Sequence, residues 1–414
     1  MIRAIIYVAS LLCFLPVSFL GWNWASEAAP GWMKLHPVTY LFSIGALLGL
    51  STLQMRFWRP LLSWRYGPFA LMAIVFIVQG IVIANTSSDP TAAAGIAITN
   101  FLTPIVFLVA AVAMGREHWV RLAVSLRVLL IISSTLALIE TAMRTSFIYV
   151  QEGHIFRAAG LMGHPLSAAL VTGYMLIYLL TSSNRRTSFI SILPEVVLHT
   201  MAMFTYGGRT ALVLVPAIVA VSVLVPAPGI PLARRVGQRL GIVALLIGGI
   251  LATQLQIDPV QSTISRFQED AGSSDTRFKA LEMVRNLQAN DLLFGIDAGT
   301  RQNLMNENGL TVAIENPWLS LILIFGLLSV TPMAAALVLA VFAHARALDR
   351  SATMMALFFI IINSSSISFG SKSLTIVQFF VLATALCQKS ISTPQMGLNT
   401  VTTQFYDMYQ DGLV

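Results

Sequence analysis

Apolar blocks of about twenty residues alternate along the chain with short polar connections, and about twenty apolar residues is the length at which an α-helix crosses the hydrocarbon of a bilayer. The blocks fall near 4–21, 36–54, 68–85, 93–114, 122–142, 158–181, 188–205, 210–227, 238–255, 317–345, 352–369 and 373–388, which predicts about twelve spans. One polar interruption breaks the rhythm. From Gln256 to Glu315, roughly sixty residues carry the material for a water-exposed structure. Within it Phe278, Leu281, Val284 and Leu287 recur at helical spacing, which predicts an amphipathic helix opening in SSDTRFKA, with Asp275 or Thr276 as N-cap and its end before Asn290-Asp291. A glycine-punctuated turn, FGIDAG, follows, and a new apolar helix starts at Glu315-Asn316-Pro317 with proline in its first turn. A loop of this length is uncommon unless it is functional or disordered, and its internal helix argues against disorder. The expected organisation is all-α: nine transmembrane helices over 1–255, a long loop with short helices over 256–315, three more spans over 316–388 and a polar tail over 389–414.

Composition agrees with a polytopic membrane protein. The chain is 56% hydrophobic and 10% charged, with a mean hydropathy of +0.78, whereas soluble domains carry about 25% charged residues. A net charge of +7 would point to nucleic acid in a soluble protein, but here the basic residues sort by membrane side and no nucleic-acid partner is expected. Arg56, Arg59, Arg65, Arg116, Arg121, Arg185, Arg186, Arg234, Arg235, Arg239, Arg346 and Arg350 fall on one side, and Lys34, Arg144, Arg157, Arg209 and Lys372 on the other. The positive-inside rule then places both termini in the cytoplasm and the long loop outside. Cys13 and Cys387 lie in apolar runs and read as packed or lipid-facing residues, not as a disulfide or metal framework. The apolar run after Arg3 meets no small-residue cleavage site before Trp22 and is taken as a retained first span. The tail from Ser390 reads as a disordered cytoplasmic end without an assigned role.

Two arginines on the outer side stand apart. Arg157 opens RAAGLMGHP and Arg209 lies in TYGGRTA, each at the outer end of a span. A lone interfacial arginine can simply snorkel to headgroup phosphates. These two are flanked by Gly160, Gly163, Gly207 and Gly208, which let backbone and ligand approach closely. Glu195 and His199, one helical turn apart, read as a structural pair ahead of a proton relay, and Glu140 and Arg127 as ordinary helix-end charges. His164 in the GHP turn and His154 in the outside loop are rival bases, with a structural and a solvated reading beside them. Glu315 fits two roles equally: capping the helix start together with Asn316, or serving as a carboxylate base kept ionised by the helix dipole. Arg266, Arg285 and Arg301 read either as contacts to glycan or lipid phosphate or as a solvated face. No Walker loop, Rossmann glycine pattern, HExxH or CxxC is present to support nucleotide hydrolysis or a structural metal.

Four pieces in one order carry a resemblance: Arg157 with Gly160 and GHP; GGRTA with Arg209; SSDTRFKALEMV…LLFGIDAG with Arg277; and ENPWLSLILIFGLLS from Glu315. Together they resemble the O-antigen ligase and polymerase superfamily of bacterial integral-membrane glycosyltransferases, over about residues 100–345. The resemblance implies a GT-C-like fold acting on undecaprenyl-diphosphate-linked glycans at the periplasmic face of the inner membrane. It implies no metal, nucleotide sugar or other cofactor, and a flippase and a chain-length regulator as partners. Ligases of the superfamily usually carry a His before the Asn of the last motif. This chain has Glu315 there, which favours a polymerase of repeat units, for exopolysaccharide, capsule or O-antigen, over a ligase to lipid A core or protein. On this reading Arg157, Arg209 and Arg277 stabilise the departing diphosphate and Glu315 is the base. His164, Gly208, Asn316, Arg285 and Arg301 contact substrate. A flippase or transporter would show internal repeats with broken helices and midplane charges; the sequence shows no repeat, and its notable arginines cluster on one face.

Overall fold

The computed structural model describes residues 1–20, 22, 31–86, 92–148, 156–182, 189–224, 273–285, 287–310, 314, 316–364 and 371–388, among which there is no strand. The α-helices are α1 (Ile2–Leu12), α2 (Pro37–Leu50), α3 (Met55–Leu62), α4 (Gly67–Thr86), α5 (Ala92–Ile96), α6 (Thr103–Ala111), α7 (Arg116–Met143), α8 (Pro165–Thr181), α9 (Phe189–Tyr206) and α10 (Arg209–Leu224). They continue with α11 (Ser273–Arg285), α12 (Ala289–Phe294), α13 (Ala298–Glu307), α14 (Pro317–Phe325), α15 (Leu327–Ala347), α16 (Arg350–Ser364) and α17 (Thr375–Leu386). A π-helical stretch, Ala97–Leu102, joins α5 to α6. The predicted span 238–255, His154, Arg266, Glu315 and the tail from Ser390 lie outside the described residues.

Four stretches among the described residues are long and apolar enough to cross a membrane: Gly67–Asn85, Ala93–Ala111, Arg116–Met143 and Leu327–Ala347. A fifth is obtained if α2 and α3, bent by 119°, count as one span. This is consistent with a membrane protein, and it is fewer crossings than the twelve apolar blocks predict. Three blocks divide for visible reasons. Block 36–54 stops as a helix at Leu50, and α3 turns away with Phe57 buried while Arg56 and Trp58 stay exposed, the pattern of a helix lying along an interface. Block 158–181 becomes helical only at Pro165, because Gly163 adopts φ +69° and His164 is an extended cap. Block 317–345 breaks at Gly326, whose φ is +78°.

At the centre stands α17, whose twelve residues are all buried, and a helix that is apolar on every side can rest only inside a bundle. It is packed by α6, α7, α8 and α16. The few polar groups here are tied across helices. Gln378 Nε2 donates to the Cys13 carbonyl at 2.7 Å, Thr39 and Thr103 share a 2.8 Å hydroxyl bond, and His344 bridges the Tyr66 hydroxyl at 2.9 Å and Thr384 Oγ1 at 3.0 Å. In a membrane setting each such bond is worth about 0.6 kcal/mol on average. Their larger effect is to satisfy these particular groups and to fix the helices that carry them against one another. Both cysteines are buried, so the packed reading holds for each.

Among the described residues, the polar interruption carries three short helices. Here α11 already begins at Ser273, so Asp275 and Thr276 belong to its first turn and neither is the N-cap. It ends at Arg285, and Asn290-Asp291 falls inside the separate helix α12. The buried side of α11 is Ala280 and Met283, with Leu281 exposed. That side joins Ile296, Leu310, Ile314, Leu319 and Leu323 in a second apolar core. Two of these residues belong to α14, while its Leu321 and Phe325 face the main core. One helix therefore serves both cores.

The insertion is seated in the break between α14 and α15. Ile296 N donates to the Leu323 carbonyl at 2.8 Å, and Gln79 Nε2 of α4 donates to the Phe325 carbonyl at 2.6 Å. Gly295 (φ +88°) and Gly326 (φ +78°) let the two backbones touch. A Cβ on Gly326 would lie 2.2 Å from the Leu293 carbonyl, and one on Gly295 2.7 Å from that of Ile324. Gly326→Ala therefore meets a left-handed conformation costing about 1–2 kcal/mol and a backbone clash besides. Its expected result is a lower Tm in detergent and faster proteolysis within 287–310; an unchanged Tm and cleavage pattern would show that the seam is dispensable.

Candidate functional site

The turn between α9 and α10 gathers two of the sequence-predicted arginines. Gly207 ends α9 with φ +63°, and its carbonyl accepts from both Arg157 Nη2 at 3.1 Å and the Arg209 amide at 3.2 Å. Ala158 N donates to the Thr205 carbonyl at 3.3 Å, so the segment carrying Arg157 lies along the end of α9. Both arginines are half-buried. Gly208 is buried and faces α8, where a Cβ would stand 2.7 Å from the Ala169 methyl. Its bareness is what lets the turn press against α8.

His164 caps α8, its Nδ1 accepting from the Leu166 amide at 3.2 Å. The ring is open on one side; the protein packed around the other side, and secondarily the Arg157 guanidinium, push its pKa below the ordinary imidazole value. A neutral imidazole whose Nδ1 accepts carries its proton on Nε2. His164 thereby holds the helix start.

Beneath this turn lies a carboxylate that is more than the ordinary helix-end charge its place in the sequence suggests. Glu140, near the end of α7, is 0% exposed. Its Oε2 accepts from the amides of Ala159 at 2.8 Å and Gly160 at 2.9 Å, and its Oε1 from the Phe147 amide at 2.9 Å and Ser146 Oγ at 3.2 Å. The helix stops just beyond, with Arg144 in the left-handed region at φ +50°, a conformation that a non-glycine residue keeps only where its surroundings hold it. Gly160 (φ +54°) rests against Ser133 so closely that a Cβ would come within 2.4 Å of the Ser133 carbonyl, and Ser133 Oγ accepts from Leu161 N at 3.1 Å. The available sequence signal was a carboxylate inside an otherwise apolar stretch.

The pairing expected for Glu195 and His199 is present, and Arg127 joins it. Glu195 is held first by Arg127 of α7, whose Nε donates to Oε2 at 2.7 Å, while His199 Nε2 stands 3.6 Å from Oε1. His199 Nδ1 bonds Ser134 Oγ of α7 at 2.8 Å. Arg127, like Glu140, is therefore a tie between elements. Together these groups lock α7 to α9, the two helices on which the arginine turn is built.

The remaining candidates form a second group, on the insertion and the start of α14. Arg277 lies on α11, with its side chain outside the described set; Arg285 is exposed at the C-terminal end of the same helix, where a cation favours the dipole. Arg301 is half-buried on α13. Asn316 caps α14, accepting at Oδ1 from the Trp318 and Leu319 amides, both at 3.1 Å. Trp318 Nε1 donates to Ser364 Oγ of α16 at 3.0 Å. Thus Arg157, Arg209, His164 and Gly208 share one support, and Arg277, Arg285, Arg301 and Asn316 another. No group of three or more His, Cys, Asp or Glu side chains able to hold a metal occurs among the described residues.

Asp297 caps α13, accepting from the amides of Gly299 at 2.9 Å and Thr300 at 3.0 Å. The Thr300 hydroxyl and these amides hold its carboxyl below the usual value. A depressed folded pKa means that the cap acts fully above the ordinary carboxylate pKa of about 3.9 and is lost as pH falls through the lower folded value. Asp297→Ala is expected to weaken the helix by about 1 kcal/mol at pH 7, read as faster amide exchange at Gly299 and Thr300, with little further loss on acidification. Equal exchange in both proteins would remove the cap from the account.

Compared with known proteins, the chain matches no protein-family model, and no curated protein is significantly similar to it in sequence.

Proposed function

We propose that this chain is a membrane glycosyltransferase of the O-antigen ligase and polymerase superfamily, with the GT-C-like, roughly twelve-span organisation that its apolar blocks predict. On this reading both termini are cytoplasmic and the insertion is periplasmic, at the inner membrane of a bacterium. The observation that carries the reading is the pair Arg157 and Arg209, both half-buried at a glycine turn between apolar helices, where the Gly207 carbonyl accepts from the Arg157 guanidinium and from the Arg209 backbone amide. A place where water is scarce strengthens every interaction of a guanidinium with a phosphate.

The reaction is transfer of a growing glycan from a polyprenyl diphosphate to the next lipid-linked repeat unit. The bond from the anomeric carbon to the diphosphate oxygen breaks, and a hydroxyl of the acceptor sugar forms the new glycosidic bond and gives its proton to a base. The leaving diphosphate gains negative charge, and fixed arginines aimed at that charge lower the barrier. Arg157 and Arg209 take this role, joined by Arg277, with Arg285 and Arg301 on the insertion reaching glycan or lipid phosphate. His164, whose Nδ1 is engaged by the Leu166 amide, is placed among the substrate contacts in this scheme. The base in this scheme is Glu315. Transfer to lipid A core or to a protein would use the same chemistry with another acceptor. A flippase and a chain-length regulator are the partners that polymerisation calls for.

Arg157→Ala, Arg209→Ala and Arg277→Ala are each expected to abolish polymer while the protein stays in the membrane; normal polymer from all three would overturn the diphosphate clamp. Cells lacking the protein are expected to accumulate single lipid-linked repeat units on the outer face of the inner membrane. Long chains stranded on the lipid carrier would indicate a ligase instead, and single units trapped on the cytoplasmic face a flippase.

A further inference from the structure

We infer that Glu140 is a positioning residue that sets the Arg157 guanidinium by gathering both ends of one loop on a single buried carboxylate. The inference rests on the proposed role of Arg157 in holding a diphosphate. The chain leaves α7 at Met143 and is next described returning at Phe156, immediately before Arg157. One oxygen of Glu140 holds the departing end through Phe147 N and Ser146 Oγ, and the other holds the returning end through Ala159 N and Gly160 N. A carboxylate is an acceptor with about four lone-pair sites, so it alone among side chains of this size can serve four donors that arrive from two directions.

The returning strand is then fixed from both sides. On the α7 side Glu140 and Ser133 hold residues 159–161. On the α9 side the Thr205 carbonyl holds Ala158 N, and the Gly207 carbonyl holds Arg157 Nη2. Gly160 is pressed on the Ser133 carbonyl, a close backbone contact on the same α7 side. A fully buried carboxylate costs several kcal/mol of lost hydration, which its hydrogen bonds must offset. A neutral cap would have closed α7 without that cost. What the carboxylate adds is a common anchor for the two loop ends, and thereby a fixed origin for the side chain of Arg157. Misplacement by about 1 Å of a group facing the transition state can lower a rate about 100-fold.

The test uses the full-length protein in liposomes with a polyprenyl-diphosphate-linked repeat unit, comparing wild type, Glu140→Gln, Arg157→Lys and the double variant. Glutamine keeps the volume but sets an NH2 group against two of the four donors. The expected result is a kcat lower by about 10-fold or more in Glu140→Gln with KM changed by less than about 3-fold. In the Arg157→Lys background the same substitution is expected to cost less than about 3-fold, because residues that act through one another are not additive. Wild-type kinetics in Glu140→Gln, or an equal loss in both backgrounds, would overturn the inference. Should Glu140→Gln not fold, Glu140→Asp retains the charge but is too short to reach both loop ends, and it carries the same test. A readout independent of turnover is the reaction of Arg157 with phenylglyoxal, expected to quicken in the Glu140 variants together with amide exchange at Phe147, Ala159 and Gly160. If the wild-type protein makes no polymer, the glycosyltransferase reading fails while this readout still decides the positioning role.

Discussion

Wherever an apolar helix stops short, the backbone groups it leaves behind must find a partner inside the protein, because neither lipid nor a packed core supplies one. Several polar residues of this chain answer that need one by one. Glu140 takes the amides of Phe147, Ala159 and Gly160. Arg157 takes the Gly207 carbonyl, His164 the Leu166 amide, Gln79 the Phe325 carbonyl and Asn316 two amides of α14. At the π-helical stretch Asn100 bonds both the Ser371 carbonyl and the Ser373 amide, at 2.7 and 2.8 Å. Each bond is small on its own. Without them the interruptions that shape the site could not exist in this environment.

The candidate site inherits its rigidity from this requirement. The bond from Arg157 Nη2 to the Gly207 carbonyl orients the guanidinium. The salt bridge from Arg127 to Glu195 and the bond from His199 to Ser134 hold α7 against α9, so the loop and the turn that face each other move as one. On the proposed reading, a cation held by groups that are themselves hydrogen-bonded keeps reorganisation low during a reaction. The insertion is joined to the bundle by a different device. Gly295 and Gly326 allow backbone to lie on backbone, and α14 shares its two faces between the insertion core and the main core.

Much of this was legible along the chain. The apolar blocks marked where helices lie, and proline after His164 and after Asn316 marked two helix starts that the structure keeps at Pro165 and Pro317. The glycines beside Arg157 and Arg209 marked the place where two chain segments meet. Other features were hidden. A single glycine in ILIFGLLS barely alters hydropathy, so the break at Gly326 was invisible until the Leu293–Phe294 backbone was seen lying on it. Of the stripe that looked like the buried face of α11, Val284 and Leu287 do pack against the second core, but Leu281 is exposed and Ala280 and Met283 are the fully buried residues, since the buried side depends on where α14 lies.

Helical periodicity, interfacial arginines and capping motifs are local, carried by residues within a turn or two of one another, and so the sequence held the all-helical architecture, the polar insertion and the arginine–glycine pairs. The partners of Glu140 lie up to 20 residues away along the chain, and those of Arg127 and Gln79 lie 68 and 246 residues away. Which charge is an ordinary helix end and which holds a loop depends on the backbone groups that arrive from elsewhere. Those arrivals are set by packing, and packing brings together what the order of residues keeps apart.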